Sequence, residues 1–211
     1  LVIKDADFVY PAGSTVTAQF RGLFANTFTG GGFTVSGVKF ENCRYGMLVS
    51  MNSNDHSIGF LAGSFGDSGT VEDCTLDSSC KMVYGATKVL FGGLFGRIGI
   101  TATGVDTAIT VSRCANAAAI EIVGAPSTLG FGGLAYLAKV TTDNKNNAYT
   151  ASLSFVDCTN NVSLAFARDH SGAGGIVYNV GDGNKRGTTT FLRCVNNGTF
   201  QLTGTAKHEG W

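Results

Sequence analysis

Three carboxylates stand where acid–base chemistry could be done. Glu41 and Glu72 each lie two residues before a cysteine, in Phe40-Glu-Asn-Cys43 and Val71-Glu-Asp-Cys74, and Asp73 lies one residue before. If these two motifs stack on neighbouring layers, Glu41 and Glu72 become column neighbours. Hydrolysis of a glycosidic bond needs two carboxyl groups about 5–10 Å apart, which makes Glu41, Glu72 and Asp73 the catalytic candidates. Against that stands the series in the position before cysteine: Asp73, Arg113, Asp157, Arg193. An arginine beside each aspartate favours the ionised, satisfied carboxylate. That is the state of a structural charge ladder and not of a general acid, so the ladder is the favoured reading. Its larger role would be to oppose slips of register, which bring like charges together.

The three histidines, His56, His170 and His208, fall 12 to 14 residues after a cysteine, and Asp55-His56-Ser57 and Asp169-His170-Ser171 share a tripeptide. A Ser-His-Asp triad is built from converging side chains and not consecutive ones. His170 and His208 would lie on adjacent layers and are the metal-ligand candidates; a polar turn is the plainer reading. Asp143-Asn144 and Gly181-Asp-Gly-Asn184 offer oxygen ligands for calcium, with too few acids for a strong site. The Gly-Gly pairs are not phosphate loops, because no Gly-Lys-Ser/Thr follows them. Nothing in these motifs requires a cofactor. Asn161-Val-Ser163 and Asn197-Gly-Thr199 are glycosylation sequons at one repeat position, accessible on a turn in a secreted eukaryotic protein.

The elements that position these groups repeat along the chain. Phe40-Glu-Asn-Cys43, Val71-Glu-Asp-Cys74, Val111-Ser-Arg-Cys114, Phe155-Val-Asp-Cys158 and Phe191-Leu-Arg-Cys194 are one motif, with cysteine spacings of 31, 40, 44 and 36. A glycine-led apolar segment precedes each, as in Gly92-Gly-Leu-Phe-Gly96 and Gly174-Gly-Ile-Val-Tyr178. Aligned on cysteine, the position three before holds Phe40, Val71, Val111, Phe155 and Phe191. Six after stand Val49, Cys80, Ile120, Leu164 and Phe200; eight after stand Met51, Met82, Ile122, Phe166 and Leu202. After the glycine come Leu23, Phe60, Leu94, Leu134 and Ile176. Polar or small residues separate the last two cysteine-aligned sets, which is the period-two alternation of strands. Columns of this kind require each repeat to lie on the previous one. The spacing therefore predicts an all-β parallel β-helix of about five repeats spanning 1–211 as a single domain. Two short coils per repeat remain an alternative. The polar stretches 100–107 and 141–149 are expected to be loops projecting from one side.

Composition sets further bounds. Fifteen Lys+Arg balance fifteen Asp+Glu in 211 residues, so no basic excess attracts nucleic acid. Charged residues are only 14%, glycine numbers 30 and proline 2, a composition of strands and tight turns. Residues 117–138 are apolar but carry Glu121, Pro126 and a Gly-Gly pair in repeat register, so they read as core and not as a membrane span. Cys43, Cys74, Cys114, Cys158 and Cys194 are expected in one column as buried free thiols, with Cys80 replacing an aliphatic residue elsewhere; one bridge within the column is the alternative. Asn116, Asn160 and Asn196, two residues after cysteine, are expected to take the left-handed conformation of a tight turn and to hydrogen-bond along their column. No signal peptide or initiator methionine is visible, and the chain reads as a piece of a longer protein.

Cys114-Ala-Asn116, Cys158-Thr-Asn160 and Cys194-Val-Asn196, alternating with Gly-Gly-Leu/Ile, resemble the GLUG-type and related repeats of microbial surface proteins. The pairing of Gly-Gly-aliphatic with Phe-x-x-Asn/Cys is also similar to the chlamydial polymorphic outer-membrane proteins. Cysteine stands where that pattern has Asn, and Tyr45 and Leu76 replace the turn Asn in the first two repeats. The resemblance covers about residues 20 to 205 and implies a right-handed parallel β-helix of the pectin-lyase-like kind, displayed outside the cell. Two functional classes follow. The first is a non-catalytic structural segment of an extracellular or cell-surface protein: a stalk, adhesin or filament building block. Its partners would be further repeats, copies of itself, glycans or other surface proteins. The alternative is a carbohydrate-active enzyme or carbohydrate-binding module on the same fold.

Overall fold

Short runs of β-branched and aromatic residues alternate with small or polar ones, and glycine or a polar turn stops each run after a few residues. Such strands are too short to bury a face alone, so they gain stability only by stacking on the next turn of chain. The computed structural model describes residues 1–14, 20–49, 57–85, 88–102, 105–123, 128–142, 149–166, 172–182 and 187–202. They form an all-β parallel solenoid. Among them no helix is long and apolar enough to cross a membrane.

The chain visits five sheets in fixed order and then returns to the first. Sheet one stacks Val2–Lys4, Lys39–Glu41, Thr75–Leu76, Ala115–Asn116, Thr159–Asn160 and Val195–Asn196. Sheet two stacks Asp7–Tyr10, Arg44–Met47, Lys81–Tyr84 and Ala119–Ile122, with Leu164–Phe166 and Phe200–Leu202 as a separate pair. Sheet three holds Phe20–Gly22, Ser57–Gly59, Lys88–Gly92, Thr128–Gly132 and Gly172–Gly174. Sheet four holds Ala25–Phe28, Ala62–Gly66, Phe95–Ala102, Ala135–Thr142 and Val177–Asp182. Sheet five holds Phe33–Ser36, Gly69–Glu72, Thr107–Ser112, Ala151–Val156 and Gly187–Leu192. One repeat is therefore one turn, and the reading of two short coils per repeat is set aside. Residues 100–102 and 141–142, expected in loops, instead prolong two strands of sheet four, with Ile100 paired to Val140 and Ala102 to Thr142.

Inward side chains fill the solenoid. Phe40, Phe60, Phe65, Phe91, Phe95, Phe131 and Phe155 are fully buried, each contributing about 1.5–3 kcal/mol through burial. Rings on successive turns touch: Phe65 and Phe95 lie 5.7 Å apart, and Phe155 and Phe191 stack at 5.2 Å with planes 7° apart.

Register corrects three columns. Phe33–Ser36 pairs with Gly69–Glu72, with Val35 opposite Val71, so Val38 and not Cys43 lies beneath Cys74. Cys43 lies beneath Cys80 instead, because Arg44 pairs with Lys81. The two thiols also make the same contact, Cys43 Sγ to the Ile3 carbonyl at 3.4 Å and Cys80 Sγ to the Phe40 carbonyl at 3.2 Å. The column after the cysteines likewise places Ile120 on Met82 and Met82 on Tyr45, not on Cys80. The glycine-led column shifts by one: Phe95 pairs with Ala62 and Phe91 with Ile58, so Leu94 stands on Leu61 and Gly93 on Phe60. In each case the local motif repeats with the wrong phase, and the longer strand pairing decides.

A sharp corner joins sheets three and four. A Cβ on Gly92, Gly132 or Gly174 would overlap the carbonyl oxygen three residues on. Gly132→Ala should therefore lower stability by about 1–3 kcal/mol, read as a lower thermal midpoint. Gly31→Ala, where nothing lies within 4 Å of the added methyl, should leave the midpoint unchanged.

Candidate functional site

The turn from sheet five to sheet one carries the charged candidates. It is tight, and its corner residue has a positive φ in successive turns: Gly37 65°, Asp73 55°, Arg113 50°, Asp157 54° and Arg193 50°. Non-glycine residues adopt this conformation at some cost, so the sequence expectation is corrected. The left-handed position belongs to the residue before cysteine and not to the asparagines, which lie in the strands of sheet one. Side chains at the corner point outward and meet the turn below. Arg113 Nε donates to Asp73 Oδ1 at 2.8 Å and its Nη2 to Asp73 Oδ2 at 2.9 Å, while Nη2 also reaches Glu72 Oε2 at 2.7 Å. Arg193 grips Asp157 in the same two-pronged way, with Nη2 to Oδ2 at 2.7 Å. The column is thus two clamped pairs, each bidentate.

Glu41 is elsewhere. It lies in sheet one, paired in register with Lys4, and its carboxylate meets Lys4 Nζ at 2.7 Å and Lys39 Nζ at 3.7 Å. Glu72 lies in sheet five beside Ser36 and Ser112. The two glutamates are therefore not column neighbours, for the same reason that Cys43 is not beneath Cys74. Each of the three candidate carboxylates faces a cation.

The thiols are free. Cys74, Cys114, Cys158 and Cys194 form one column, each Sγ meeting a carbonyl of the turn below: Val35, Val71, Val111 and Phe155 respectively. Hydrogen bonding with Cys158 and Cys74, together with burial, pushes the Cys114 thiol well above its usual range. Burial pushes Cys80 up to about 11. The same hydrogen bonds with Cys114 lower Cys74 and Cys158, while Cys114 and Cys80, protonated and enclosed, are poor nucleophiles and metal ligands. Among the described residues no group of three or more His, Cys, Asp or Glu is arranged to hold a metal ion. His56, His170, His208, Asp143, Asn144, Gly183 and Asn184 lie outside the described residues.

The asparagines hydrogen-bond along their column, as expected, and also face inward. Asn116 and Asn160 are fully buried. Asn116 Nδ2 donates to the Gly133 carbonyl at 2.7 Å, and its Oδ1 accepts from Ala118 N at 3.0 Å. Asn160 Nδ2 donates to Asn196 Oδ1 at 2.8 Å. Across the interior each amide faces the second residue of a Gly-Gly pair: Asn116 against Gly93, Asn160 against Gly133, Asn196 against Gly175. In the two preceding turns the register places Phe40 and Leu76 in the asparagine column, and Leu23 and Phe60 in the glycine column. Both columns change together, from large apolar residues to an amide facing a bare backbone. The signal was in the sequence, since Cys-x-Asn and Gly-Gly begin in the same turn, but it reads as turn chemistry until the two are seen opposite each other.

Asn161 and Asn197, the sequon residues, are exposed and on adjacent turns, with Asn197 Nδ2 donating to Asn161 Oδ1 at 2.9 Å. Their hydroxyl partners stack too, Thr199 N donating to Ser163 Oγ at 3.1 Å.

Hydrogen bonds from Arg113 and Arg193 hold the carboxyls of Asp73 and Asp157 below the usual carboxylate range. A depressed folded-state value means that the stabilisation is complete above the unfolded value of about 3.9 and is lost as pH falls through the lower folded value. Thermal midpoints measured across acid pH should drop below about pH 4, and Asp73→Asn with Asp157→Asn should flatten that drop. Comparison with protein-family models, with curated proteins and with solved structures finds no match to this chain.

Proposed function

We propose that this chain is a non-catalytic structural segment of an extracellular or cell-surface protein, a stiff stalk, adhesin or filament building block. The observation that carries the reading is the use made of the charged groups. Glu72 and Asp73 are engaged by Arg113, Asp157 by Arg193, and Glu41 by Lys4 and Lys39. A general acid needs a carboxyl whose pKa is raised toward working pH; Asp73 and Asp157 are shifted the other way. The repeats that resemble those of microbial surface proteins, and the β-helix of the pectin-lyase-like kind that this resemblance implies, agree with a surface role.

The end layers support assembly. At one end Leu1, Val2, Phe8 and Phe24 are exposed, and at the other Val180, Phe191, Leu192 and Val195. Open parallel edges lined with apolar residues call for cover. In this reading further repeats, copies of the chain or another surface protein supply it, while Asn161 and Asn197 carry glycans on the side of the solenoid.

Incubation with a panel of polysaccharides should release no new reducing ends, and electron microscopy of the native polypeptide should show elongated particles. Release of reducing ends that disappears in Glu72→Gln or Asp73→Asn would replace this reading with that of a carbohydrate-active enzyme.

A further inference from the structure

The outward face of sheet five differs from the others. Its inward positions, such as Ile109, Val111, Leu153 and Phe155, are buried. Between them, one residue per turn, stand Thr34, Thr70, Thr110, Ser154 and Thr190, each paired in register with the next. Two residues earlier a second row runs Ala108, Ser152 and Thr188. The result is a grid of hydroxyl and methyl groups. Its spacing is about 4.8 Å between turns and about 6.7 Å along each strand. Thr34, Thr188 and Thr190 are exposed, and Thr70, Thr110, Ser152 and Ser154 are half-buried.

Strand preference alone explains a threonine on an outward face. It does not explain hydroxyls at one position in five successive turns, nor the lack of charge within the grid, the paired Asp73–Arg113 and Asp157–Arg193 standing at its edge. Sheet two carries Asp7, Arg44, Lys81 and Glu121 in a surface network. Within the five strands of sheet five the one ionised side chain is Glu72, and it is neutralised at the sheet's edge by Arg113 at 2.7 Å.

We propose that this face binds ice. A crystalline water surface is uncharged and periodic in two directions, with oxygen spacings comparable to those of the grid. Rows of hydroxyls fix water oxygens at lattice-like intervals, and the methyl groups between them exclude disordered water. Charged side chains would hold hydration shells of their own and spoil the match, so a neutral face suits a neutral lattice. A crystalline polysaccharide fits less well, because flat sugar rings are gripped by aromatic faces. The aromatic residues of these strands, Phe33, Phe155 and Phe191, occupy the inward positions. The proposal does not depend on the structural reading above, which is tested by particle shape and by polysaccharide cleavage.

The test is thermal hysteresis and ice-crystal habit of the purified chain. Wild-type protein should shape ice crystals and open a gap between melting and growth temperatures. Thr110→Lys and, separately, Ser154→Lys should abolish both while circular dichroism and the thermal midpoint stay unchanged. Lys81→Thr on sheet two should leave both effects intact. Should a lysine at Thr110 or Ser154 disturb folding, Thr34→Lys on the first strand of the face serves instead. Wild-type protein without ice shaping would overturn the proposal, as would Thr110→Lys and Ser154→Lys variants as active as wild type. Binding to crystalline cellulose or chitin without ice shaping, lost in the same variants, would overturn it in favour of a polysaccharide surface.

Discussion

Parallel backbone pairing between successive turns is the constraint on which the rest depends. Parallel neighbours place each residue over its counterpart one turn away, about 4.8 Å distant, so every position along the chain becomes a column. A column is stable only if its members tolerate their own kind or alternate with complements. Phe155 and Phe191 stack face to face. Asp73 pairs with Arg113 and Asp157 with Arg193, where like charges would repel. Asn160 gives its amide proton to Asn196. The thiols of four turns meet carbonyls of the turn below. These are one solution applied to different side chains, and together they oppose any slip of register.

How much of this was legible depended on the length of the pattern. Alternation over six residues, as in Ala151–Val156, marks a strand with an inner face, and the structure buries its alternate residues. The aspartate–arginine series pointed to paired charges, and those pairs form. The first turn misled. Phe40-Glu-Asn-Cys43 copies the cysteine motif, yet the strand Phe33–Ser36 is paired so that Val38 takes the cysteine position. Between Val38 and Cys43, and between Cys74 and Cys80, the chain spends more residues in the turn than between Cys114 and Ala118, with Asp77-Ser78-Ser79 forming a hydrogen-bonded bend. That insertion disguised Cys43 and Cys80 as members of different columns.

Asparagine shows a second limit. Its propensity for the left-handed conformation suggested that Asn116, Asn160 and Asn196 make the turn. The corner is made instead by Asp and Arg, residues whose outward side chains there find ionic partners. The asparagines are taken inside, where an amide needs partners and the facing glycines leave room for it. Local preference was overruled by a contact between residues more than twenty positions apart. The hydroxyl grid on sheet five was invisible for a related reason, since its members are ordinary strand residues until the register aligns them.

Every column depends on one turn per repeat. Spin labels at Thr34→Cys and Thr190→Cys, in a background with Cys194 replaced by serine, report the distance between the first and fifth strands of sheet five. Four layer spacings give about 19 Å. A dipolar distance distribution centred there, after allowance for the label arms, is the predicted result. A distance near twice that value would mean that each repeat winds through two coils, and would contradict the register on which every column described above is built.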